Sequence, residues 1–377
     1  MAYIPPHKRH SKDPAKPSPV PDSLVTKFKK KLDFRSIDSI YKWFIFGSNG
    51  IEDEVPSYVK LVPLTSDSVE RRNGEKPLVL MNKNVQNVNM SIGESEEERT
   101  KWLLVAEKVE EDLVLAYERA KTEMEGQHLV FRLTASFGRN FFYRRQGFPV
   151  GECSPKNSTK MFSSDVPTSF LQHIKSKVVP SHGFYIDLEK ERYIVEVSHD
   201  TRPGTICCKC ILKEDGRLSM YKPDLCIERH LVVDVSCIDK NLDMRLLLGS
   251  KIKLRDLNEK EIRNIKALLD SATVDPNVKG GLRWPLGKSS EDGYRVLEFG
   301  HVRSTIYKNQ TIRVRVRDTD RFNERTGGLI HREVMLMLKD LNTKLQEQNI
   351  ERDRVLEMLR DTLGTLWDFL HYDAYLA

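Results

Sequence analysis

Apolar and basic residues alternate most regularly in the stretch from 294 to 317, which reads YRVLEFGHVRSTIYKNQTIRVRVR. Successive side chains of a β-strand point to opposite faces, so this alternation predicts the second strand of a β-hairpin with one apolar and one basic face. The apolar face carries Ile312, Val314 and Val316, and the basic face carries Arg313, Arg315 and Arg317.

The basic face of this hairpin has two interpretations. Side chains two residues apart on a strand lie roughly 6.5–7 Å apart, close to the phosphate spacing of an extended single strand, which favours a surface that follows an RNA backbone. In the other interpretation, the arginines are solvated and pair with Asp or Glu of a neighbouring strand. Arg303 and Lys308, on the first strand of the hairpin, belong to the same candidate RNA-binding set.

A second basic stretch, residues 128–145, interleaves arginine with aromatic residues. Surfaces that bind single strands use aromatic rings for base stacking and arginine for charge, which adds Arg139, Arg144 and Arg145 to the candidate set. The same mixture is typical of a strand that forms the edge of a core. The aromatic residues that distinguish the two interpretations are Phe137, Phe141, Phe142 and Tyr143.

The remaining periodicities predict an α+β fold with mainly antiparallel sheet segments and helices packed on one face. Apolar spacings of three and four residues predict a long helix over 99–125 and shorter ones over 165–178 and 258–272. Asp165 or Thr168 is the expected cap of the second helix, and Asn258 with Glu261 has the spacing of a capping box for the third. Strands are predicted at 41–47, 58–63, 78–81, 128–145 and through most of 183–254.

The last 45 residues are predicted to be mainly helical, because leucine and valine recur at helical spacing. Two arrangements fit: a helical hairpin or broken helix that covers the sheet, or an exposed coiled-coil dimer. The apolar positions are Val334, Leu338, Leu341, Leu345, Val355, Leu359, Leu363, Leu366 and Leu370.

Composition changes along the chain predict its domain organisation. We expect a disordered basic arm (1–32), a first α+β half (33–147), a mobile linker loop (148–164), a second α+β half (165–327) and C-terminal helices (328–377). Both halves contain a helix followed by a strand with a Phe-Gly-basic triplet, around Phe131–Arg139 and Tyr294–Arg303, which indicates a duplication.

Charge is concentrated at the N-terminus. Residues 1–35 contain nine Lys or Arg and three Asp, so their net charge of +6 equals the formal charge of the whole chain. The rest of the chain is balanced, and a basic arm of this kind attracts polyanions. No apolar run approaches the roughly 18 residues of a membrane span, and no signal sequence is recognisable, so we expect a cytoplasmic or nuclear protein.

The sequence predicts neither a metal site nor a cofactor. Cys207, Cys210, Cys226 and His230 superficially supply zinc ligands, but TICCKCILK reads as a strand on which Cys208 and Cys210 share an apolar face with Ile206. We therefore expect buried, reduced thiols. For catalysis, nothing in the sequence brings the candidate acid and base residues into one pocket, and we assign no catalytic residue. Those candidates are His199, Asp200, Asp234 and His301.

Two resemblances extend this picture. The opening MAYIPPHKRHSKD, with the later blocks KGGLRWPLGK and RVRDTDRF, resembles members of a plant protein family of undetermined function over nearly the full length. The N-terminal segment also resembles the YIPPHLR element of Ded/Belle-type DEAD-box helicases, which is implicated in contacting the cap-binding translation initiation factor 4E. Lys8 replaces the leucine of that element, and no helicase core follows. The segment consists of Tyr3, Ile4, Pro5, Pro6, His7, Lys8 and Arg9.

Together these observations favour a non-enzymatic RNA-associated protein that binds the phosphate backbone through its basic arm and arginine-faced hairpin. The alternative is a protein-interaction scaffold that uses the C-terminal helices and the N-terminal segment.

Overall fold

The computed structural model describes most of the chain from residue 39 onward. The described residues are 39–47, 50–52, 55–64, 76–82, 96–123, 130–144, 154–200, 205–223, 226–252, 257–270, 273–274, 282–283, 293–323, 329–347 and 349–371. The predicted basic arm and the segment Tyr3–Arg9 lie outside these ranges.

A mostly antiparallel sheet of 14 strands dominates the described residues. Eleven of its strands form one continuous path in the order β2-β1-β10-β11-β5-β16-β15-β14-β7-β8-β9, in which only β1 and β10 run parallel. The strands are β1 (Ile40–Gly47), β2 (Gly50–Glu52), β3 (Val59–Pro63), β4 (Leu78–Asn82), β5 (Val130–Arg144), β6 (Ser158–Ser163), β7 (Tyr185–His199), β8 (Thr205–Leu212), β9 (Leu218–Pro223), β10 (Cys226–Cys237), β11 (Asp243–Ile252), β14 (Tyr294–Lys308), β15 (Ile312–Asn323) and β16 (Leu329–Leu338). Two short strands, β12 (Thr273–Val274) and β13 (Leu282–Arg283), pair separately.

The helices pack on one face of the main sheet, and the α+β prediction is confirmed. They are α1 (Glu96–Glu123), α2 (Thr168–His173, continued by a π-helical turn Ile174–Val178 and the turn Val179–Ser181), α3 (Glu259–Asp270), α4 (Lys339–Leu345) and α5 (Arg352–Phe369). The apolar stripes of α1, α2 and α5 bury the central strands β10, β11, β5, β16 and β15. Helix α3 covers β7, β8, β9 and β14 through Ile265 and Leu269. None of the described helices is long and apolar enough to cross a membrane.

Aromatic packing connects the first and last helices. Trp102 of α1 stacks on Phe46 at 4.0 Å between ring centroids, and Trp367 of α5 contacts both rings edge-on. The apolar positions of α5, among them Leu359, Leu363 and Leu366, are fully buried within the chain. They cover the sheet, as in the first of the two arrangements predicted for the C-terminus, and are not exposed for a coiled-coil dimer.

Strand β5 belongs to two sets of strands. Its first part pairs with β11 and β16, and from Arg139 onward it pairs with β6, while Phe142 also faces Leu78 of β4. The change occurs at Gly138, where an added Cβ would lie 1.9 Å from the carbonyl oxygen of Ser163. Only glycine allows the two backbones to approach so closely.

Local details correct several expectations. The capping box of α3 is confirmed, since Asn258 and Glu261 exchange hydrogen bonds of 2.8 and 2.9 Å. In contrast, neither Asp165 nor Thr168 caps α2: its N-cap is Pro167, and Asp165 instead accepts a hydrogen bond from the backbone N–H of Arg332. Strand β6 lies inside the range predicted as a loop, and Leu329–Leu338 is a strand although helix was predicted there.

The cysteine-bearing strand forms as predicted. Cys208 and Cys210 lie on β8 beside Ile206, fully buried in the cluster under α3. Burial raises the pKa of the Cys210 thiol to about 12 and that of Cys208 further still, so both remain protonated. Among the described residues, no group of three or more His, Cys, Asp or Glu side chains is arranged to hold a metal ion.

Candidate phosphate-binding site on the arginine face

Strands β14 and β15 form the predicted hairpin and separate its two kinds of side chain. Val314 and Val316 are buried under the helices, whereas Arg313, Arg315 and Arg317 point to the opposite face of the sheet. We call this opposite side the arginine face. Cross-strand partners share a face, so Met335 and Glu333 of β16 and Ile306 and Ser304 of β14 also belong to it.

Two of the three arginines of the hairpin are paired with carboxylates. Arg313 Nη2 lies 3.0 Å from Asp187 Oδ2, and the Lys308 ammonium binds the same carboxylate. Arg317 Nη1 lies 3.1 Å from Glu333 Oε2 on the adjacent strand. For these residues the structure shows the pairing that the sequence left as one of two interpretations.

Arg315 differs from its neighbours on the strand. In the part of the chain that the structure describes, no carboxylate pairs with its guanidinium. Burial and, after it, the positive charges of Arg317, Arg192 and Arg132 lower the pKa of Arg315 to about 10, and the charge of Glu333 opposes this shift. We call these five residues the Arg315 cluster. Four guanidinium groups and the Glu333 carboxylate therefore influence one another in this cluster.

The cluster is assembled from four strands of the main sheet. Arg132 lies on β5 and Arg192 on β7, each two strands away from Arg315 on opposite sides. The charges of Arg132 and Arg192 both act on the Arg315 guanidinium across these strands. Polar residues of this face, such as Asp234, Ser304 and Thr319, are buried although the helices pack on the other side.

Several donor atoms in and beside the cluster remain without an acceptor. The Nε atoms of Arg192, Arg313 and Arg317 are buried and make no hydrogen bond within the described part of the chain. A buried N–H without an acceptor is unfavourable by about 1–3 kcal/mol, more when the group is charged. Phosphate oxygens supply the charge and the acceptors that this arrangement lacks.

A cleft of about 220 Å³ opens beside the cluster. Its walls include Arg317, Arg321, His331 and two facing carboxylates, Glu196 and Glu298. Burial and, after it, the charge of Glu298 raise the pKa of Glu196, while the charge of Arg321 lowers it. Arg321 Nε lies 2.8 Å from Glu298 Oε1. The cleft therefore has a basic side at Arg317 and an acidic side at Glu196.

The far end of the arginine face is closed by a buried ion pair. Arg245 donates two hydrogen bonds, of 2.6 and 2.8 Å, to Asp234, which is 1% exposed, and the Tyr41 hydroxyl donates a third at 2.9 Å. Burial raises the pKa of Tyr41, and the charge of Asp234 adds to this. Because Asp234 is fully engaged here, it is not available as a catalytic base.

The other predicted binding residues do not join the cluster. Arg303 lies on the helix-covered side of β14, where it faces Asp318 at 3.9 Å. Arg139 donates two hydrogen bonds to the carbonyl oxygen of Asn241, and burial lowers its pKa.

Arg144 lies at the end of β5, opposite Ser158 of β6. Arg145 lies outside the described residues.

The aromatic residues of β5 belong to the core, since Phe137, Phe141, Phe142 and Tyr143 are each at most 4% exposed. They are not available to stack on bases. The proposed acid and base residues are also separated: His301 bonds to Glu191, while His199 packs against the ring of Tyr294.

Two members of the cluster, Arg132 and Arg192, were not in the predicted set. Arg192 begins the alternation Arg192, Ile194, Glu196 on β7, which places all three on the arginine face. This alternation is the same signal that identified Arg313, Arg315 and Arg317, but it is shorter and includes a glutamate.

Comparison with known proteins assigns the family. A family model described as Domain of unknown function (DUF7903) matches residues 30–370. The chain belongs to this family. The DUF7903 assignment covers both predicted halves and the C-terminal helices, in agreement with the expected membership of a family without a determined function. No curated protein matches the sequence.

Three solved structures show distant similarity to this DUF7903 chain. The Pct1 RNA triphosphatase of S. pombe is 12% identical with a TM-score of 0.45, over 72% of this chain and 93% of that chain. The same enzyme in complex with the Spt5 CTD is 11% identical with a TM-score of 0.46, over 72% and 94%. The PH1012 protein of Pyrococcus horikoshii OT3 is 13% identical with a TM-score of 0.24, over 54% and 91%. These similarities are too weak to support a conclusion about fold or function.

Proposed function

We propose that the protein binds RNA without catalysing a reaction, and that the Arg315 cluster holds phosphate groups of the RNA backbone. The observation that carries this proposal is the state of Arg315, which is half-buried, is paired with no carboxylate of the described residues and lies among other guanidinium groups. Guanidinium groups held this close together repel one another, and an anionic ligand relieves that repulsion.

A bound phosphate removes each unfavourable feature of the cluster. Its charge offsets the repulsion between Arg315, Arg317 and Arg192, and its oxygens accept hydrogen bonds from the Nε atoms that lack them. Guanidinium groups bind phosphate in a two-pronged geometry, which adds orientation to charge. The basic arm, residues 1–32, would add attraction that weakens with salt and carries no preference for sequence.

The test is the affinity of a single-stranded RNA octamer, measured by fluorescence anisotropy over a range of salt concentrations. Arg315→Gln removes the charge at the centre of the cluster. Arg303→Gln is the matched control, because Arg303 lies on the same hairpin but on the other face, beside Asp318. We expect Arg315→Gln to weaken binding at least tenfold and to reduce the slope of log K against log salt by about one.

The control variant is expected to bind within about twofold of the unmodified protein, since an exposed charge on the far side makes no phosphate contact. Thermal unfolding of all three proteins verifies that they are folded. If Arg315→Gln binds the octamer as tightly as the unmodified protein, the Arg315 cluster is not the phosphate site.

A further inference from the structure

A large exposed aromatic residue stands at one end of the arginine face. Tyr185, the first residue of β7, is 58% exposed, and Leu188 beside it is 40% exposed. Tyr185 and Leu188 therefore leave apolar surface open to solvent beside basic side chains.

The strand register places Tyr185 in line with the basic side chains. Tyr185 pairs with Lys308 of β14, and Lys308 pairs with Arg313 of β15. Adjacent strands are about 4.8 Å apart, so the backbones of Tyr185 and Arg313 are separated by about 10 Å. The Lys308 ammonium lies 5.3 Å from the centre of the Tyr185 ring. An aromatic ring, an ammonium and a guanidinium thus follow one another across three strands.

We infer that Tyr185 stacks on a base of a single-stranded RNA whose phosphates are held on the arginine face. This inference rests on the proposed function and specifies its ligand. A nucleotide step spans about 6–7 Å, so a strand with one base on Tyr185 passes Arg313, which is paired with Asp187, and places a following phosphate at Arg315. Leu188, on the same face, offers an apolar surface for the sugar or the edge of the base.

This arrangement selects against duplex RNA. Bases in a duplex are already stacked and paired, so their faces are not available to the Tyr185 ring. The same arrangement favours RNA over an anion without bases. Inorganic polyphosphate makes the charge interactions with the arginine face but cannot stack on Tyr185.

The experiment compares two ligands and three variants of the full chain. The ligands are a single-stranded RNA octamer, with and without 2-aminopurine, and inorganic polyphosphate. Tyr185→Ala removes the ring, Tyr185→Phe keeps it, and Ile186→Ala is the matched control, since Ile186 is the next residue, 59% exposed, on the other face of the strand.

We expect Tyr185→Ala to weaken octamer binding by about 5- to 150-fold, the range that corresponds to the loss of one base–aromatic stack. Tyr185→Phe and Ile186→Ala should bind within about twofold of the unmodified protein, and none of the three should change polyphosphate binding. The 2-aminopurine fluorescence should be quenched by the unmodified protein and not by Tyr185→Ala.

The outcomes separate this inference from the proposed function. If Tyr185→Ala binds the octamer unchanged, or loses polyphosphate to the same extent as RNA, Tyr185 is not a stacking residue although the arginine face still binds phosphate. If the unmodified protein binds neither ligand, the proposed function itself is wrong.

Discussion

Replacing Arg315 by methionine is expected to stabilise the folded protein while it weakens phosphate binding. Methionine keeps the length and the apolar stem of the side chain but removes its charge. Burial, followed by the charges of Arg317, Arg192 and Arg132, lowers the pKa of Arg315 to about 10 from a usual value of 12.5. At 1.36 kcal/mol per pKa unit, this displacement corresponds to about 3 kcal/mol. Because water still reaches part of the side chain, we expect a gain of about 1–2 kcal/mol.

Urea unfolding followed by circular dichroism measures this gain directly. The difference in free energy of unfolding between Arg315→Met and the unmodified protein should become smaller as sodium chloride is raised from about 0.1 to 1 M. Salt screens the repulsion between guanidinium groups that the substitution removes. Adding the RNA octamer at about 100 times its Kd should stabilise the unmodified protein by about 2.7 kcal/mol and the variant much less.

Arg303→Met serves as the control and should change the free energy of unfolding by less than about 0.5 kcal/mol, because Arg303 is 64% exposed. The reasoning is refuted if Arg315→Met is less stable than the unmodified protein at low salt. Such a result would mean that contacts of the Arg315 side chain contribute more than the repulsion within the cluster removes.

Two further predictions concern buried carboxylates. Asp234→Ala leaves the charge of Arg245 uncompensated. We therefore expect urea titrations to show a free energy of unfolding lower by about 3–5 kcal/mol. A loss below about 1 kcal/mol would contradict the buried ion pair. Burial raises the pKa of Asp243 from 3.8 to about 6, so its contribution to stability is fully present below about pH 4 and is lost as the pH rises through 6. Between pH 5 and 7, the free energy of unfolding of the unmodified protein should therefore fall by about 1 kcal/mol more than that of Asp243→Asn. If the two proteins show the same dependence of unfolding free energy on pH, Asp243 does not contribute in this way.

The hairpin was predictable because its signal is local. Alternation over 312–317 determines both the strand and the face of each side chain, and β14 and β15 pair as expected. The carboxylates that neutralise Arg313 and Arg317 were not predictable, because Asp187 and Glu333 come from strands whose register depends on the whole sheet. For the same reason, the sequence did not show that Arg315 pairs with no carboxylate among the residues that the structure describes.

Other differences between the predicted and the observed elements arise where the apolar pattern fits both the helical and the strand period. Val334 and Leu338 are four residues apart, as on a helix, but Leu336 lies between them, and all three face the core from strand β16. In an apolar run such as VMLML, alternation and helical spacing cannot be told apart. The aromatic residues around Phe141 illustrate a related limit, since composition alone does not show whether a ring is buried or available to a base.

The position of β16 determines when the protein can fold during synthesis. This strand lies between β5 and β15 and joins them, although some 200 residues separate it from β5 in the chain. Until the ribosome has released residues 329–338, the strands that carry Arg132 and Arg315 have no common neighbour. Nascent chains that end before β16 would therefore expose two unsatisfied strand edges, which makes chaperone capture or aggregation their expected fate.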